Sequence, residues 1–136
     1  METIDYAQAR RMVADALARA AGEYGRPICA AACDAQGFLL AFARADGAPV
    51  RSIALSQGKA YSAARMGVGT DAFLARLHRE NIPASYFCDP ALTALPGGAV
   101  VKNAAGRLLG AVGISGLAPE EDQAIADLLA ASLDTH

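Results

Sequence analysis

The sequence predicts an α+β fold, an antiparallel sheet with helices packed against it. Three observations lead there. The periodic segments run in the order helix, hairpin, helices, hairpin, helix. Two turn signals, Asp34-Ala35-Gln36-Gly37 and Asn103-Ala104-Ala105-Gly106, each separate a pair of short apolar runs. Apolar residues, many of them alanine, make up 54 % of the 136 residues, and tryptophan is absent. Small side chains let helices lie close on a sheet, whereas a large aromatic core would need bulk this chain lacks.

The first helix is expected over residues 4–24. Val13, Leu17 and Tyr24 lie near one face, with Ala9 and Ala20 filling the stripe. Asp5 followed by Gln8 has the spacing of a capping box, and Gly22, Gly25 and Pro27 end the helix. Ile28 to Cys33 and Phe38 to Arg44 form the first hairpin, which Asp46-Gly47-Ala48-Pro49 breaks. Ser52 is placed to cap a second helix to about Met66, with Ile53, Ala60 and Ala64 on its thin apolar side. Gly67 and Gly69 end it. Thr70 or Asp71 caps a third helix through Phe73, Leu74 and Leu77 to about His78. Residues 81–98 show no clean period and read as a long ordered loop. Ala99 to Lys102 and Arg107 to Ser115 form the second hairpin. A last helix from Pro119 carries Ile125, Leu128, Leu129 and Leu133.

One domain, residues 1–136, is expected at this length. A formal charge of −2 argues against nucleic-acid binding, which needs a basic surface. No segment reaches the ~18–20 apolar residues of a membrane span. Glu2, Asp5 and Gln8 interrupt any signal-peptide core, so a cytoplasmic location with reduced Cys29, Cys33 and Cys88 is expected. Zinc is not expected: with His78 and His136 as the only histidines, the ligand spacing fits no zinc pattern.

The segment richest in chemistry is Gly110-Ala111-Val112-Gly113-Ile114-Ser115-Gly116, followed by Pro119-Glu120-Glu121-Asp122. A strand with this many glycines gives up packing area, so something approaches its backbone closely. Proline and three acids are a helix start. Together with Arg44-Ala45-Asp46-Gly47-Ala48, Gly58-Lys59-Ala60-Tyr61-Ser62-Ala63 and Pro96-Gly97-Gly98, these pieces resemble, in order and over nearly the whole chain, the GlcG/HbpS-like family. That family includes the C-terminal domain of PduO-type proteins. Two departures are mild: Ala45 stands where the family usually has Met, and Leu117 where it usually has Gly. The resemblance implies a profilin-like antiparallel sheet of about five strands. It also implies homo-oligomers, commonly tetramers or octamers, and in some relatives haem binding or links to catabolism.

Each candidate has a functional and a plain alternative. Lys59 either snorkels to solvent or points its ammonium into a pocket toward an anionic ligand or Asp122. Asp122 matches the family's acidic position, yet an acid in a first helical turn is also ordinary dipole complementarity. Pro96-Gly97-Gly98 either offers bare N–H groups to an anion or is simply a turn. Ser115 and Gly116 could wall the same pocket. Arg44 and Asp46 either line it or form a subunit contact. For haem, His78 reads as a surface residue, the first helix contains no histidine, and Tyr24, Met66 and Cys88 are the remaining axial donors.

Three functions follow from these candidates. The first is an oligomeric protein binding a small anionic ligand or haem. The second is a cofactor-independent isomerase, tautomerase or lyase acting on a small carboxylate, with Lys59 and Asp122 as acid and base. The third is a subunit serving assembly alone. Ser115 as a nucleophile finds no support, having no evident His partner and missing the nucleophile-elbow spacing.

Overall fold

A computed structural model describes residues 2–133. The chain opens with α1 (Tyr6–Arg19), which continues as a single wide π turn over Ala20–Tyr24. The capping box forms as the spacing predicts: the Gln8 amide N–H donates to Asp5, and the Asp5 N–H donates back to the Gln8 side chain. β1 (Cys29–Asp34) and β2 (Leu39–Arg44) follow, then α2 (Arg51–Met66) and α3 (Thr70–Glu80). A 3₁₀ turn at Ala84–Phe87 lies inside the long loop. β3 (Gly98–Lys102), β4 (Leu108–Ser115) and α4 (Pro119–Ser132) complete the order.

The four strands form one open antiparallel sheet, ordered β2-β1-β4-β3. The expected count of about five is therefore corrected to four among the described residues: each of the two hairpins supplies two strands, and the long loop adds none. The third helix runs two residues past His78. Val50, not Ser52, occupies the cap position of α2, with no side-chain cap. The Ser52 hydroxyl is instead buried, accepting from Ser115. Of the apolar residues that mark the last helix, Ile125 and Leu129 are buried and Leu128 is exposed.

The core has two unequal parts. On one face of the sheet, α1 and α4 bring Met12, Val13, Ile125 and Leu129 against Ala30, Ala32, Val112 and Ile114. On the other, α2 lays Ala60, Ala63 and Ala64 on Ala31, Cys33 and Ala111. This second layer is thin because α2 meets bare backbone. A Cβ on Gly98 would stand 2.5 Å from the Lys59 carbonyl oxygen, and one on Gly113 would collide with the Ser56 carbonyl. The glycines and alanines of the sequence thus serve close helix-on-sheet packing.

Candidate functional site

Lys59 leaves the inner side of α2, and its side chain is 1 % exposed. It passes beside Gly97, where an added Cβ would fall 2.8 Å from Nζ. The ammonium donates to the Ile114 carbonyl at 2.7 Å and to Asp122 Oδ2 at 3.2 Å. Asp122 belongs to the first turn of α4, on the opposite face of the sheet, so the pair ties the two helical layers together. Its other oxygen accepts the Leu117 N–H at 3.0 Å. Burial pulls Lys59 below the ordinary lysine range and pushes Asp122 above the ordinary carboxylate range, their mutual attraction offsetting part of each shift.

The Pro96-Gly97-Gly98 turn comes to the same place, and its N–H groups have partners already. Gly97 N–H donates to Gln123 Oε1 at 2.7 Å, and Gly98 N–H to Thr70 Oγ1 at 2.8 Å. Gln123 Nε2 returns to the Gly98 carbonyl at 2.9 Å. Gly97 has φ +133°, a conformation open to glycine. Ser115 donates to Ser52 at 3.1 Å. Gly116, at φ +137°, brings its backbone against Pro27 and Ile28. Among the described residues no buried side-chain nitrogen or oxygen lacks a partner.

The structure therefore gathers Lys59, Asp122, Gly97 and Gly98, together with Thr70 and Gln123, which sequence reasoning missed, while Ser115 pairs with Ser52 instead. They form a closed polar knot: neither Lys59 nor Asp122 borders the cavities described below. Arg44 stands at the same end of the sheet, two strands from Ser115, but turns away. Its guanidinium donates to the Ala48 carbonyl at 2.8 and 3.2 Å, clasping its own turn. Asp46 is exposed and borders a separate small hollow beside Pro27. Among the haem-ligand candidates, His78 and Cys88 are exposed and Tyr24 and Met66 half-buried. His136 lies outside the described residues.

Open space lies elsewhere. A groove of about 400 Å³ runs between α1 and the edge strand β2. Its walls include Val13, Leu17, Leu40, Ala41 and Ala43, and Tyr6 and Arg10 stand at its mouth. Tyr6 is 61 % exposed. Sequence reasoning passed over both residues. Their signal was the i, i+4 spacing that puts them on one side of α1, in line with Val13 and Leu17. The groove needs β2 beside α1, which only the sheet order supplies.

With this geometry the chain is similar to several solved proteins. It superimposes on HbpS of Streptomyces reticuli, crystallised as a double mutant, with a TM-score of 0.85 at 26 % identity, over 99 % of this chain and 90 % of that one. ORFY of Klebsiella pneumoniae gives a TM-score of 0.85 at 27 % identity, covering 98 % and 94 %. PduOC, crystallised as a haem complex, shares the fold with a TM-score of 0.79 at 24 % identity, covering 91 % of each chain. No curated protein sequence matches the chain. Residues 4–131 match the family described as haem degrading protein HbpS-like, and the chain belongs to that HbpS-like family.

Proposed function

We propose that this chain is a haem-binding protein that takes its ligand in the groove between α1 and β2. The observation that carries the reading is the composition of that groove. Apolar walls suit the macrocycle, a guanidinium at the mouth suits a propionate, and a phenol at the mouth suits the iron. Tyr6 and Arg10 have no hydrogen-bond partner among the described residues, so both are free to turn to a ligand. Tyr61, by contrast, is committed to Asp89. Family membership, under a description that names haem degradation, supports the same reading, as does the crystallisation of PduOC, a protein of this fold, with haem.

Bound haem supplies a redox-active iron. The chain's own residues would do the rest: Tyr6 would offer the oxygen donor, Arg10 would hold a carboxylate, and Val13, Leu17, Leu40 and Ala43 would keep water from the macrocycle. Lys59 and Asp122, expected as acid and base, are in this reading a frame holding α2, α4 and the end of β4 in register. Acid–base catalysis by that pair would require an opening to it. Self-association belongs to the same reading. β2 is an unpaired edge, apolar from Leu39 to Ala43, with Phe38 and Leu39 exposed, and such edges are normally covered.

The test is haem titration of the full chain followed by absorbance. A Soret shift saturating at one haem per chain is expected. No shift at micromolar protein would remove haem from the account.

A further inference from the structure

On the face of the sheet opposite the α1–β2 groove, the flank of α2 leaves a hollow of about 460 Å³ against the β1–β2 hairpin and the long loop. Ala54, Gln57, Gly58 and Tyr61 line it from α2, Cys33 from β1 and Ala91 from the loop. Its volume lies inside the ~300–1,000 Å³ range of ligand pockets.

Two features mark this as a built space. Gly58 sits inside α2, where glycine weakens a helix. No neighbour forbids a side chain there: the nearest atom to an added Cβ is the Thr93 methyl at 3.6 Å, an ordinary contact. Gly98 and Gly113, in contrast, meet backbone that excludes one. The side chain missing at Gly58 keeps the hollow open. Its loop wall is also fixed. Thr93 N–H donates to Ser62 Oγ at 2.8 Å, and Asp89 accepts both the Tyr61 hydroxyl and, at 3.0 Å, the Ala91 N–H.

The polar groups of the lining have acceptors to spare and few donors. The Tyr61 hydroxyl and the Ala91 N–H are spent on Asp89, the Gly37 N–H on the Asp34 carbonyl, and the Cys33 thiol on the Ala60 carbonyl. The Ala91 carbonyl oxygen stands 3.9 Å from where a Gly58 Cβ would be, and no described residue donates to it. Gln57 is held by its Nε2 on the Ile53 carbonyl at 3.1 Å, which leaves Oε1 with no donor among the described residues. Charge does not choose the ligand. The bonds from Tyr61 and Ala91 hold the Asp89 carboxyl below its ordinary range, so it stays negative, while the Arg65 guanidinium stacks 4.9 Å from the Tyr61 ring. These opposite charges offset one another, and neither residue lines the hollow. An anion would meet mainly acceptors here and lose its water without return.

We propose that the hollow binds a small neutral aromatic ring carrying one N–H or O–H donor, its apolar body against Ala54, Gly58 and Tyr61 and its donor on the acceptor wall of Ala91 and Gln57. The experiment is isothermal titration of the full chain with indole, whose ring nitrogen only donates, and with benzofuran, the same shape with an oxygen in that place. Indole binds at one site per chain. Benzofuran binds about tenfold more weakly, because its oxygen leaves the wall unpaired. Indole-3-carboxylate binds no more tightly than indole. Gly58→Leu fills the space and abolishes binding of all three. Amide shifts in the unsubstituted protein cluster at Gln57, Tyr61 and Ala91 on adding indole, a readout independent of whether the Gly58→Leu chain folds. No indole binding by the unsubstituted protein, equal affinity for benzofuran, tighter binding of the carboxylate, full binding by a folded Gly58→Leu protein, or shifts clustered elsewhere would each overturn the proposal.

Discussion

The Lys59 ammonium stands 3.2 Å from Asp122 across the end of the sheet, with both side chains closed to solvent. A charge pair so placed is costly to bury and more costly to break, because removing one partner leaves the other charged in an apolar surround. Lys59→Met and Asp122→Leu are each expected to destabilise by about 3–5 kcal/mol. The double replacement Lys59→Met with Asp122→Leu should cost less than the sum of the singles. Denaturant unfolding of the four proteins of that cycle checks this. Additive losses would mean that the pair holds nothing together.

Glycine replacements should separate by position. Gly98→Ala forces a Cβ to 2.5 Å from the Lys59 carbonyl oxygen, a backbone atom that cannot swing aside. A loss of at least ~1–3 kcal/mol is expected from overpacking of this kind. Gly58→Ala, whose Cβ has room, should gain up to ~1 kcal/mol from helix propensity. Melting temperatures of the two variants moving in the same direction would contradict the packing described for α2.

The three cysteines should behave differently. Cys88 is exposed and should react at once with a thiol reagent at pH 8, whereas Cys29 and Cys33 should wait for unfolding. Burial pushes the Cys33 thiol up to about 12 from an ordinary 9.0. The unfolded chain therefore releases this proton first. The sign follows: stability is intact below pH 9 and falls as pH rises from 9 toward about 12. Cys33→Ser removes that part of the slope while keeping a donor for the Ala60 carbonyl. Identical slopes for the two proteins across that range would refute the assignment.

Much of this architecture is legible in the sequence because its signals are local. The Asp5–Gln8 box, the Asp34–Gly37 turn and the Pro119 helix start depend on residues within four positions of one another. Ser52 and Pro96-Gly97-Gly98 mislead for the opposite reason. Gly97 and Gly98 donate to Gln123 and Thr70, side chains 26 and 28 positions away, and Ser52 meets Ser115, 63 away. No spacing rule reaches that far. Helical period alone likewise left open whether Lys59 points outward or inward. The bare backbone of Gly97 beside it, a tertiary fact, gives the ammonium its path.

The unpaired edge makes a separate prediction. Phe38 and Leu39 are 61 % and 50 % exposed, and β2 carries no proline or lysine to guard it. The full chain should elute above its 13.9 kDa mass in light scattering, and Leu39→Lys should shift the population toward monomer. A monomer at all concentrations would leave the edge without its expected cover.

The account turns most directly on Tyr6. Haem titration of Tyr6→Phe, read beside the unsubstituted protein, removes only the phenolic oxygen and leaves the apolar walls of the groove intact. The expected result is weaker binding with an altered Soret position, as a lost iron donor requires. An unchanged spectrum and affinity would contradict the placement of haem between α1 and β2.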